Sequence, residues 1–196
     1  MTDKSFVNDV FNHQYHFALG PHHRGDTFRI MFQKLEELKK NKYLIVETGT
    51  TRMQDNFYGD GQSTRLFNAF VDFYDGEVYS VDIDPKACEL SRSYVGDKTT
   101  VVCSDSIKFL NEFESPDKID LLYLDSFDVD FSNHHPSSLH HMKELCAIYA
   151  KLHSGCIIAV DDNNHNTGKG AYVKDFLVGL GAHCIFDGYQ IGYLKP

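Results

Sequence analysis

Between Tyr43 and Asp84 two branched apolar runs each stop at residues with a chemical use, and this limits the chain to few folds. Tyr43-Leu44-Ile45-Val46 ends in Glu47-Thr48-Gly49-Thr50, and Glu77-Val78-Tyr79-Ser80-Val81 ends in Asp82-Ile83-Asp84-Pro85. A buried strand closing at a glycine turn, then a helix, then a strand closing at an acid is the layout of a nucleoside-binding α/β unit. Glycine lets the backbone approach a ligand closely, and an acid at the second strand end can accept both ribose hydroxyls.

The remaining chain repeats the alternation. Phe28, Met31, Phe32, Leu35 and Leu38 recur at helical spacing ahead of the first strand, and Leu66, Phe67, Phe70, Val71 and Tyr74 mark a helix from about Ser63. Strands are predicted at 43–48, 77–83, 99–104, 119–124, 156–160, 182–186 and 190–194. Helices are expected after Pro85, over 107–113, over 139–152 and over 171–180. Asp187-Gly188-Tyr189 is hairpin-short, so the last strand must run antiparallel to its neighbour. The expected fold is a Rossmann-like doubly wound sheet of seven strands, mostly parallel with an antiparallel last strand, and helices on both faces. Residues 1–42 read as a lead-in segment and helix, with a role as substrate lid, and 43–196 as the ligand-binding domain. Together they form a single domain.

The first turn discriminates among nucleoside ligands. Dinucleotide folds admit a pyrophosphate through G-x-G-x-x-G. Here Gly49 is followed by the loop Thr50 to Asp60, and Gly59-Asp60-Gly61-Gln62-Ser63-Thr64 lacks the third glycine. Asp55 and Asp60 would repel a diphosphate, whereas S-adenosylmethionine carries no phosphate and its sulfonium tolerates carboxylates.

Charge excludes other partners. With 28 acids against 19 bases the net charge is −9, and the bases form no long run, so nucleic acid is disfavoured. No apolar run reaches bilayer length, which excludes a membrane span, and a cytoplasmic location is expected. Cys88, Cys103, Cys146, Cys156 and Cys184 form no C-x-x-C pair and read as small core residues of a reducing compartment.

On these residues the chain resembles class I S-adenosylmethionine-dependent methyltransferases from about residue 40 onward. The resemblance implies that Glu47, Gly49 and Thr50 border the methionine part, Asp82 holds the ribose, and Asp105 with Ser106 meets the adenine. Ser63 and Thr64 would reach the methionyl carboxylate. Leu124-Asp125 and Val160-Asp161-Asp162-Asn163 further resemble metal-dependent small-molecule O-methyltransferases of the catechol and macrolide-sugar types. By that similarity Asp125, Asp161 and Asp162 would hold Mg2+ or another divalent cation, beside which a hydroxyl of a sugar, polyol or phenolic substrate would be methylated.

One position departs from the pattern, because the catechol-type lysine after the strand-four acid is Asp128 here. The expected replacement base is a histidine of the 134–141 segment, His141 before His140, with Asp125 the third catalytic candidate. His134, His135 and His165 are further candidates, and His13, His16, His22 and His23 carry no assigned role. A homodimer partner is the expected way to complete a pocket that lacks a separate lid domain. The competing readings are a protein that binds the cofactor without chemistry and, further off, a nicotinamide oxidoreductase.

Overall fold

The architecture follows from residues that alternate across each strand. A computed structural model describes residues 4–20 and 23–196. In strand β1 (Tyr43–Thr48), Tyr43 and Ile45 face one helical layer, whereas Leu44 and Val46 face the other. Strands β4 (Leu121–Leu124) and β5 (Ile157–Val160) divide in the same way: Tyr123 and Ala159 lie on the first face, Leu122 and Ile158 on the second. Such near-continuous apolar strands belong to a sheet covered on both sides. With β2 (Gly76–Asp82), β3 (Thr99–Cys103), β6 (His183–Asp187) and β7 (Ile191–Leu194), the sheet order is β3-β2-β1-β4-β5-β7-β6. Only β7 is reversed, pairing antiparallel with both β5 and β6.

Helices α1 (Arg24–Glu37) and α2 (Ser63–Phe73) cover one face. Helices α4 (Ser106–Glu112), α5 (His135–Ile148) and α6 (Ala171–Gly179) cover the other, and α3 (Pro85–Arg92) links β2 to β3. Asp84 and Asp105 start α3 and α4 by accepting from the backbone N–H groups of Lys86 and Lys108, at 2.9 and 2.8 Å.

Part of the segment expected as a lid packs into the core. Phe6, Val7, Phe11 and Leu19 are buried against α1 and α2, with Phe6 and Phe32 edge to face at 5.0 Å. Their apolar side chains gain more from that burial than from lying over a wet cleft. His22 lies outside the described residues. Cysteines differ too: Cys88 and Cys156 are buried, but Cys103, Cys146 and Cys184 are exposed. Among the described residues no helix is long and apolar enough to cross a membrane.

Candidate active site

Parallel register brings the carboxyl ends of β1 to β5 to one edge. Thr48 pairs with Val81 on one side and Leu124 on the other, and Leu124 pairs with Val160. Glu47, Gly49, Asp82, Asp105, Asp125, Asp161 and Asp162 are therefore neighbours, at the place where open α/β sheets bind ligands.

A trough crosses this edge. Its wider part, about 290 Å3, is lined by Asp82, Ile83, Asp105, Ser106, Phe127 and His140. Its narrow continuation is lined by Gly49, Thr50, Arg52, Ser63 and Asp125, and shares Asp82 and Ser126 with the first. Asp82 stands at the junction, accepting from Thr50 N at 3.2 Å and Asp84 N at 2.8 Å, so its carboxylate is fixed. Burial raises its pKa, which these backbone donors partly counter. Gly49 has φ +84°, and a Cβ there would stand 2.5 Å from the carbonyl oxygen of Asp125, so β1 can turn here only with glycine.

Glu47 turns inward. Its carboxyl meets the hydroxyls of Ser63, of Thr64 at 2.7 Å and of Ser80 at 2.6 Å, and it is fully buried. Burial pushes its pKa up to about 7, against the pull of these three hydroxyls. The Ser63 and Thr64 side chains are thus directed to Glu47, with only Ser63 also edging the trough. Thr50 Oγ1 meets Ser91 Oγ at 2.7 Å, leaving its backbone to face Asp82. Asp105 caps α4, and Ser106 Oγ lies 3.2 Å from His140 Nε2.

The histidines separate. Sequence pattern starts the long helix near residue 139, but α5 begins at His135 because Pro136 suits a first helical turn. That places His140 on the trough and His141 in the interior. His141 Nδ1 meets Ser137 O at 2.8 Å, and burial lowers its pKa to about 4. The residue expected as base is not brought to the cleft. His135 Nδ1 is 2.6 Å from Tyr172 OH and His134 Nδ1 is 2.9 Å from Ser138 Oγ. His165 lines a separate open cavity of about 550 Å3 with His23, Phe131, Asn163, Asn164 and Tyr189.

Asp125, Asp161 and Asp162 do converge, but around cations of the chain itself. The Lys169 ammonium touches Asp125 Oδ1 and lies 2.8 Å from Asp162 Oδ2, with its side chain wholly buried. Arg24 Nη2 lies 3.5 Å from Asp161 Oδ2 and 3.4 Å from Asp162 Oδ1. Tyr123 OH donates to Asp161 Oδ2 at 3.0 Å, Asp162 N to Asp161 Oδ1 at 2.8 Å, and Tyr189 OH to Asp162 Oδ1. Burial and the neighbouring acids raise Asp125 well above the carboxylate range although Lys169 pulls it down. Burial would discharge Lys169, but Asp125, Asp162 and Asp161 outweigh it and hold it cationic.

Magnesium needs free oxygen ligands in an octahedron. Here both oxygens of Asp161 and Asp162, and Oδ1 of Asp125, already accept from donors. Among the described residues no group of three or more His, Cys, Asp or Glu side chains is arranged to hold a metal. The donor set as folded does not fit the ion that the sequence resemblance implied.

Sequence reading missed Lys169, Arg24, Arg52 and Glu144. Lys169 arrives through a hairpin of Asn163–Asn164 and Thr167–Gly168, with Gly168 at φ +108° beneath the Asp162 carbonyl. Gly168-Lys169-Gly170 was the only local hint. Arg24 comes from α1, far away in sequence. Arg52 joins Asp60 to Asp128 across the narrow part of the trough, with Nη1 2.8 Å from Asp128. Glu144 accepts from Thr48 Oγ1 at 3.1 Å and Ser126 Oγ at 2.6 Å, anchoring the turn after β4.

With this geometry in hand, the comparisons agree on class. The O-methyltransferase family profile matches residues 62–177, and the chain belongs to that family. Its fold is that of class I S-adenosylmethionine-dependent methyltransferases. MycE, the methyltransferase of the mycinamycin biosynthetic pathway solved in complex with Mg, SAH and mycinamycin VI, is 12% identical at a TM-score of 0.63. That match covers 89% of this chain and 50% of MycE, so the chain spans about half the length of that relative. The O-methyltransferase NovP is 14% identical over 87% of this chain and 79% of its own, at a TM-score of 0.58. The N-methyltransferase NodS from Bradyrhizobium japonicum WM9 is 9% identical over 96% and 98%, at 0.52. Identities this low speak to fold alone. No curated protein matches the chain by sequence.

Proposed function

We propose that the chain transfers a methyl group from S-adenosylmethionine to a hydroxyl of a small molecule, a sugar, polyol or phenolic. The observation that carries this reading is the trough with fixed Asp82 at its junction, running from the Asp105 end to Asp125. When bound, the cofactor supplies a methyl group activated by a sulfonium. Asp82 receives the ribose hydroxyls, while Ile83 and Phe127 offer apolar faces to the base beside Asp105, Ser106 and His140. The bare backbone at Gly49 and Thr50 admits the methionine part.

Asp125 edges the narrow part of the trough and takes the acceptor's proton on a carboxylate oxygen. A carboxylate raised by burial is a better base than one in water, which suits it to a hydroxyl losing its proton as the new bond forms. Lys169 keeps the protonated and ionised forms of Asp125 in one position. The acceptor hydroxyl meets Asp125 in the narrow part of the trough, beside Arg52 and Ser126. His140, beside Ser106 and Glu144, serves the cofactor end.

The test is calorimetry with S-adenosylmethionine and S-adenosylhomocysteine, followed by turnover on a panel of sugars, polyols and phenolics. Asp82→Ala should weaken cofactor affinity tenfold or more, as loss of about 2 to 4 kcal/mol of charged hydrogen bonding requires. Folded protein giving no heat with either ligand would end the reading. Binding without turnover on any acceptor would leave a cofactor-binding protein of the same fold.

A further inference from the structure

We infer that Lys169 stands where metal-dependent O-methyltransferases of this fold hold their divalent ion, so that the acid cluster at the ends of β4 and β5 works without a metal. The inference deepens the proposed reaction, but its test reads metal binding and stands whether or not a methyl acceptor is found.

Three carboxylates and two basic groups meet at this point. Lys169 takes Asp125 and Asp162, while Arg24 takes Asp161 and Asp162. A divalent ion entering alongside them would add two positive charges to a buried cluster that already holds an ammonium and a guanidinium among three acids. Buried charge is tolerated only when paired, so the ion could enter only by expelling Lys169.

Lys169 is poorly placed to leave. Its side chain is wholly buried. Its backbone N–H donates to Asp162 O at 3.1 Å, and the next residue, Gly170, donates to Asn163 Oδ1 at 2.7 Å. Gly168 adds a third constraint, since its φ of +108° and close approach to the Asp162 carbonyl fix the turn that delivers the lysine. The hairpin is therefore shaped to return one cation onto Asp162, seven residues before it, and across to Asp125 at the end of β4.

A point charge of this kind does part of what a metal would do. It neutralises the carboxylates and fixes the Asp125 oxygen against which an acceptor hydroxyl would rest. It also makes the site indifferent to metal supply. Lys169 is in this sense a positioning residue acting through Asp125.

The experiment is titration of the protein saturated with S-adenosylhomocysteine, using Mn2+ followed by paramagnetic resonance and Mg2+ followed by calorimetry. Wild type should show no saturable binding up to about a millimolar, where binding free energy is already small. Lys169→Ala exposes the acids and should bind Mn2+ at least about a hundredfold more tightly than wild type, the scale on which an uncompensated buried charge acts. Adding Asp161→Asn to that variant should remove the binding. Lys169→Gln serves in the same way if the alanine variant does not fold. Saturable micromolar binding by wild type that Asp161→Asn abolishes would overturn the inference, as would Lys169 variants that fold but gain no affinity. Where an acceptor is known, excess chelator should leave turnover unchanged.

Discussion

Two buried acid sites lie at the same sheet edge and meet the cost of burial in opposite ways. Glu47, at the end of β1, is surrounded by hydroxyls and tends to keep its proton, with a pKa near 7. Asp125, Asp161 and Asp162, after β4 and β5, are surrounded by Lys169 and Arg24 and share fixed positive charge. A proton can be lost with pH, whereas a lysine held among carboxylates cannot. The first site is thus adjustable by solvent, and the second is permanently polarised.

The largest effect that separates them is deletion of the cation. Lys169→Met should cost about 3 to 5 kcal/mol, the scale for leaving a buried charge unpaired. Glu47→Gln should be close to neutral near pH 7, because the amide oxygen can accept from hydroxyls on one side and its NH2 can donate to hydroxyls on the other, without a charge to solvate. Urea unfolding of both variants at pH 7 checks the contrast. Equal losses would mean that Glu47 is carried as an anion and that the two sites are alike.

How far the sequence revealed these sites follows the same division. Each strand end was legible because apolar runs stop at acids: Glu47, Asp82, Asp105, Asp125 and Asp161 all lie where strand–turn spacing put them. The sheet order with one reversed strand was legible too, from the short Asp187-Gly188-Tyr189 turn. What neutralises the acids was not, because Arg24 comes from the preceding helix and Lys169 from a two-residue hairpin without periodic signal. The burial of Phe6 and Phe11 was not legible for a related reason, since nothing local tells an apolar arm that caps a core from one that covers a cleft. His140 and His141 are adjacent on one helix and so point about 100° apart, one to the trough and the other to the interior, and nothing in the sequence told them apart.

Next in size is a pH effect on which Glu47 and His141 oppose each other. Glu47 is raised from 4.5 to about 7, so the native state binds more protons, and its stabilisation is full below 4.5 and lost as pH rises through 7. His141 is lowered from 6.5 to about 4, so the native state binds fewer, and its stabilisation is full above 6.5 and lost as pH falls through 4. Each shift corresponds to about 3 kcal/mol, and across roughly pH 4.5 to 6.5 the two slopes cancel. Relative to wild type, Glu47→Gln should therefore gain stability as pH rises through this window, and His141→Asn should lose it. Denaturant midpoints at half-unit intervals measure both slopes, and two differences of the same sign would show that one of the buried groups has been given the wrong charge state.

The smallest effect is also the sharpest about Glu47 itself. Ser80 Oγ lies 2.6 Å from Glu47 Oε2 and 3.1 Å from the Gly49 carbonyl, yet a hydroxyl has one proton to donate. If Glu47 is a neutral acid, it donates to Ser80, and Ser80 passes its own proton to Gly49, satisfying both contacts. An ionised Glu47 claims the Ser80 proton and leaves the Gly49 carbonyl without it. Hydrogen bonds between neutral groups contribute about 0.5 to 1.5 kcal/mol, and those to charged groups about 1.5 to 3. Ser80→Ala should accordingly cost about 1 kcal/mol at pH 5.5, and more at pH 8.5, where Glu47 is ionised and has lost one of its three hydroxyl donors. A cost near 3 kcal/mol that does not change between these pH values would assign a permanent charge to Glu47, and the contrast with the Lys169 cluster would then rest on the type of donor alone.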